Sequence, residues 1–150
     1  MEASATSVIQ VGDISVEFLV EAGDSDASVT VFECLIPGGA RVPIQHSHDA
    51  FDETIYGLEG VCTWTVDGDT REVGPGESVF IRRGRVHGFE NRSGEAAKFL
   101  AIATPGVFGP AYFDEMAEIL AATAGGPPDL AALGEAMRRH GLTPAPPAAT

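Results

Sequence analysis

Gly39–Gly60, GARVPIQHSHDAFDETIYGLEG, sets two histidines and a glutamate among residues that favour β-strands. His46 and His48 are two positions apart, so on a strand both imidazoles point to one face. Glu53 follows five residues after His48, near enough to return a carboxylate to the same point where the chain bends through residues 49–52. Downstream, GESVFIRRGRVHGFEN (Gly76–Asn91) delivers His87 just past a turn at Gly84. A lone histidine is most often an ordinary polar residue. A pair on one strand face, joined by a carboxylate and a third histidine, points to a metal centre. Three imidazoles and one carboxylate suit one divalent transition metal per chain (iron, manganese, cobalt, nickel or zinc), with positions left open for water, substrate or oxygen.

Outward from these stretches, the chain reads as short strands between turns. Ile14–Val20 and Val29–Ile36 are rich in β-branched and aromatic residues, and further strands fit Thr54–Leu58, Val61–Val66, Thr70–Val73, Ser78–Ile81, Val86–Glu90 and Ala97–Ala103. Asp67-Gly68 is a hairpin signal. This pattern predicts an all-β antiparallel sandwich or barrel over residues 1–106. Residues 107–142 change texture. Tyr112, Phe113, Met116, Ile119 and Leu120 recur at helical spacing, and Asp129 can cap a second helix carrying Leu130, Leu133 and Met137. The two helices are expected to pack on the barrel, over its mouth, or against a second subunit. Residues 143–150, rich in Pro and Ala, are expected to form a disordered tail.

Nine Lys plus Arg against 22 Asp plus Glu give a net charge of −13, which repels phosphate backbones and anionic lipid. Nucleic-acid and membrane partners are therefore not expected. The start, MEASATSVIQ, has neither the basic nor the apolar part of a signal peptide, so a cytoplasmic location and buried free thiols at Cys34 and Cys62 are expected.

The two quoted stretches resemble the first and second motifs of the cupin superfamily, matching at all four ligand positions. The resemblance implies a conical antiparallel β-barrel (a double-stranded β-helix, or jelly roll) with two short C-terminal helices. It also implies a metal inside, held by His46, His48, Glu53 and His87. Two departures stand out. Six residues separate Gly39 from His46 where the usual pattern has five, and Arg82 replaces the usual proline, which bears on the rigidity of the turn before His87.

A barrel followed by FDEMAEIL and PPDLAALGEAMRRHGL is similar in order to the small quercetin 2,3-dioxygenase-like cupins. That likeness implies a dioxygenase acting on a small aromatic or enol-containing substrate, flavonol- or polyketide-like. Glu53 is then either a ligand alone or also the catalytic base. The alternatives are a non-redox isomerase, cyclase or lyase using the metal as a Lewis acid, and a binding module without turnover.

Strand alternation places Ile44 on the inward face with His46 and His48, and Phe89 on the face of His87. Phe51 and Tyr56 lie near the ligand loop, and Trp64 marks the inner face of its strand. These aromatic residues are candidates for substrate contact or for core. Arg82 either anchors a substrate anion or lies in a solvated turn. A homodimer is expected, because barrel strands leave edges to cover and the family often pairs.

Overall fold

The computed structural model describes residues 7–146. Its strands are β1 (Val8–Val11), β2 (Ile14–Val20), β3 (Thr30–Ile36), β4 (His46–His48), β5 (Asp52–Glu59), β6 (Cys62–Val66), β7 (Asp69–Val73), β8 (Ser78–Ile81), β9 (His87–Glu90), β10 (Ala97–Thr104) and β11 (Leu142–Pro144). The helices are α1 (Pro110–Ala122) and α2 (Leu130–Arg139). One sheet runs β1-β2-β3-β10-β5-β8 and the other β11-β4-β9-β6-β7. Pairing is antiparallel, and it joins strands distant in sequence, such as β3 with β10 and β4 with β9. That order is a jelly-roll barrel.

Alternation decides what lies between the sheets. Along β3, Thr30, Phe32, Cys34 and Ile36 are buried; along β10, Ala97, Phe99, Ala101 and Ala103 are. On β5 the inward register is taken by Glu53, Ile55 and Gly57. A carboxylate thus holds a position where its neighbours in register are apolar or small. The β6–β7 hairpin turns through Asp67 (φ 49°) and Gly68 (φ 86°), the paired positive dihedrals of a tight two-residue turn. Cys34 and Cys62 are buried free thiols.

After the barrel, Pro110 occupies the first turn of α1, where its missing N–H is no loss. Tyr112 and Met116 of α1 are buried, and Phe113 packs with ring centroids 5.8 Å from Phe18 and 5.3 Å from Phe32. The apolar face of α1 thus packs on its own barrel, one of the places expected for it. Asp129 caps α2 by accepting from Ala132 N–H at 3.1 Å. Among the described residues, no helix is long and apolar enough to cross a membrane.

One expectation is corrected at the C-terminus. Thr143 and Pro144 do not belong to a disordered tail but to β11, which pairs with β4. Ala145 and Pro146 follow without regular structure, and residues 147–150 lie outside the described residues.

Candidate metal centre

β4 brings His46 and His48 inward, and β9 sets His87 opposite His46 in the ladder. Gly88 eases the close approach of residues 42–45: a Cβ there would lie 2.7 Å from Gln45 Cγ and 3.1 Å from Val42 Cγ1, so those side chains would have to shift. The result is three imidazoles with one ligand nitrogen each, all within 4.8 Å of one another. Their ring centroids lie 5.3 Å (His46–His48), 4.8 Å (His46–His87) and 4.5 Å (His48–His87) apart.

The hydrogen bonds select the tautomer. Nδ1 of His46 faces the Ile44 carbonyl at 3.0 Å, and Nδ1 of His87 faces the Arg85 carbonyl at 3.0 Å. A carbonyl only accepts, so each Nδ1 carries the proton and each Nε2 keeps a free lone pair. Nδ1 of His48 is buried with no hydrogen-bond partner. Burial, with the neighbouring His87, pushes His46 down to about 3. Burial and the two neighbouring histidines push His48 further down, and burial lowers His87 as well. Three converging neutral imidazoles, an orphaned buried nitrogen among them, fit a divalent transition metal.

Glu53 lies at the edge of the cluster, with Oε1 3.9 Å from His87 Nε2. This is proximity rather than an ion pair, because burial disfavours the charged form of both groups. Burial pushes the Glu53 carboxyl up to about 8, so without a cation beside it the group is protonated at neutral pH. A metal at the imidazoles would reverse that. Among the described residues, Glu53 is the acidic side chain that the strand register turns toward the cluster.

The cluster forms one wall of a cavity of about 320 Å³. Trp64, Phe89, Phe99 and Phe108 supply aromatic lining, and Asp13 and Arg41 also border the cavity. Few polar groups interrupt this lining, a composition suited to a small apolar ligand with one polar edge.

A cupin-domain family model matches residues 31–103, the span that contains all four of these side chains. The chain carries a cupin domain. A curated relative, quercetin 2,3-dioxygenase of Bacillus subtilis (strain 168), is 26% identical over 112 residues, which cover 75% of this chain and 33% of that protein. The cupin therefore spans about a third of that relative's length. Among solved structures, the polyketide cyclase RemF from Streptomyces resistomycificus superposes with a TM-score of 0.60 at 26% identity, covering 77% of this chain and 89% of that one. KdgF from Halomonas sp. superposes at 0.58 with 16% identity, covering 68% and 86%.

The cupin brings together only some of the residues singled out from sequence. Trp64 and Phe89 stand in the cavity wall, with ring centroids 5.0 Å apart. Phe51 is buried behind His48, stacked on it at 4.2 Å and 18°, and does not line the cavity. Tyr56 is 42% exposed, on the outer face of its strand. It lies three residues from Glu53, and odd spacing on a strand means opposite faces. Arg82 is exposed and outside the cavity lining. The stiffness a proline would give its turn comes instead from Arg83, which forks onto Asp52, and from Gly84 N–H donating to His48 O at 2.9 Å. Ile44 is half-buried and absent from the cavity wall, because regular alternation starts only at His46.

Sequence reasoning missed Tyr112 and Met116 of α1, which close the cavity from the helical side, and Leu142 of β11. Burial and the nearby Glu53 push the Tyr112 phenol up, so it stays a proton donor. Its helical periodicity was visible in sequence; the wall it meets was not.

Proposed function

We propose that this cupin is a mononuclear metal-dependent enzyme acting on a small aromatic or enol-bearing molecule, and that its reaction is a dioxygenation. The observation that supports this is the placing of three neutral imidazoles and a buried carboxyl in the wall of an otherwise largely apolar cavity. His46, His48 and His87 would hold the metal, with Glu53 as fourth ligand. The metal when bound supplies Lewis-acid stabilisation of an enolate and, if redox-active, the means to engage oxygen.

The chain's own residues supply the rest. Trp64, Phe89 and Phe99 hold a planar ring system and exclude water. Glu53, ionised once a metal sits beside it, takes the proton of a substrate hydroxyl that comes within hydrogen-bond reach. Tyr112 offers its O–H to a substrate oxygen from the helical wall.

A second reading, non-redox ring closure or isomerisation at the same site, is favoured by the likeness to a polyketide cyclase over 89% of that chain. One experiment separates them. The metal-loaded protein is given a flavonol, and then an aromatic β-diketone, with oxygen uptake and product followed together. Oxygen consumed in step with product supports dioxygenation, whereas equal product under nitrogen moves the assignment to the second reading. Saturable binding of both compounds without product would leave a binding protein.

A further inference from the structure

β4, which carries both His46 and His48, is three residues long. On the β9 side it is paired at one position, His46 opposite His87. Its other edge is matched along its full length by β11, with Leu142 opposite His48, Thr143 opposite Ser47 and Pro144 opposite His46. Backbone bonds bracket this ladder: Asp49 N–H donates to Gly141 O at 2.9 Å, and Ala145 N–H donates to Gln45 O at 2.8 Å. Antiparallel ladders alternate bonded and non-bonded pairs, so Thr143 and Ser47 form the bonded pair between these two. Pro144 then falls at a non-bonded position, where its missing N–H costs the ladder nothing.

Side chains reinforce the pairing. Thr143 Oγ1 donates to Asp49 Oδ1 at 2.7 Å. Leu142 is buried and lines the cavity beside the histidines. α2 packs on β11, and α2 is tied to α1 through Glu115, which bonds His140 Nε2 at 2.7 Å and pairs with Arg139. The histidine strand is therefore held by a segment that lies beyond residue 103, where the family match ends.

We propose that β11 is a positioning strand for the metal centre: its pairing with β4 sets the spacing and aim of His46 and His48. This rests on the metal reading above. Metal donors must be held to within about 0.5 Å of their working geometry, and without β11 this three-residue strand keeps only one ladder pair and the Gly84–His48 bond. Loss of groups that orient ligands typically lowers metal affinity about 10–100-fold.

The test uses the full chain and cobalt(II) as probe, read by its visible d–d band and by titration, at a temperature where circular dichroism shows each variant folded. Thr143→Pro removes the N–H of the bonded pair, and Ala145→Pro removes the donor to Gln45. Thr143→Val keeps the backbone ladder and loses only the contact with Asp49. Thr143→Pro is expected to weaken cobalt binding about tenfold or more and to shift the band, with Thr143→Val within about threefold of wild type. A folded Thr143→Pro protein with wild-type affinity and spectrum overturns the proposal; should that variant not fold, Ala145→Pro decides on the same terms. If the wild-type chain itself binds no cobalt, the metal reading and the positioning role fall together. If it binds and the proline variants match it, the positioning role alone falls.

Discussion

Phe51 offers a quantitative test, because its ring backs the histidine cluster instead of lining the cavity. It is 1% exposed and lies between His48, at 4.2 Å, and Phe108, at 5.0 Å and 24°. Truncating such a phenylalanine to alanine costs about 3–5 kcal/mol, from lost burial plus the space left behind. For a chain of this length each kcal/mol moves Tm by roughly 2–4 °C, so Phe51→Ala is expected to melt roughly 6–20 °C lower. Phe51→Leu keeps most of the volume and should cost under about 1.5 kcal/mol. Thermal melting of the metal-free proteins gives the stability, cobalt titration gives affinity, and KM is taken at saturating metal. Stability and metal affinity should fall together, since His48 loses its support, while KM stays unchanged. A Phe51→Ala protein that melts within about 2 °C of wild type but shows a raised KM would refute the reasoning and return Phe51 to the substrate.

Other outcomes follow from the same geometry. In the metal-free protein the lowered histidines contribute stability that is present above their unfolded value of 6.5 and is lost as pH falls, for His46 down to about 3. Glu53 acts oppositely: its contribution is present below 4.5 and is lost as pH rises through about 8. With three histidines against one glutamate, the share of Tm set by these groups should peak near 6.5 and fall more steeply on the acid side, which melting across pH will show. At pH 7, metal binding should release about one proton, from Glu53, and Glu53→Gln should abolish that release, as read by calorimetry in buffers of different ionisation enthalpy. Arg82→Ala and Tyr56→Ala alter exposed groups outside the cavity and should leave KM unchanged and stability within about 0.5 kcal/mol; a severalfold rise in KM for either would place it at the substrate.

Much of the barrel was legible because it depends on local signals. β2 and β8 run between the residues that β-propensity marks out, and the Asp67-Gly68 turn joins the two strands it was expected to join. The shared face of His46 and His48 follows from strand parity alone. What stayed open in sequence were the points where proximity along the chain cannot stand in for parity or pairing. Tyr56 lies near Glu53 in the chain but on the opposite face of β5, and Phe51 precedes that strand, so no alternation rule governs where its ring goes. β11 left no local mark, because it is three residues long, ends in proline and is specified by a partner 94 residues away, as the Thr143–Asp49 bond shows. The destination of Tyr112 was hidden for the same reason: helical spacing identifies an apolar face, while tertiary packing decides what that face covers.

The central claim is that His46, His48 and His87 form a metal centre, and metal content per chain tests it most directly. Native protein and His48→Ala are loaded in parallel with iron, nickel, manganese, cobalt or zinc, freed of excess, and measured by elemental analysis. Near-stoichiometric metal in the native chain and its loss in the variant is the predicted result. A native chain that stays empty with every metal, or a variant that retains as much as the native chain, would contradict the account.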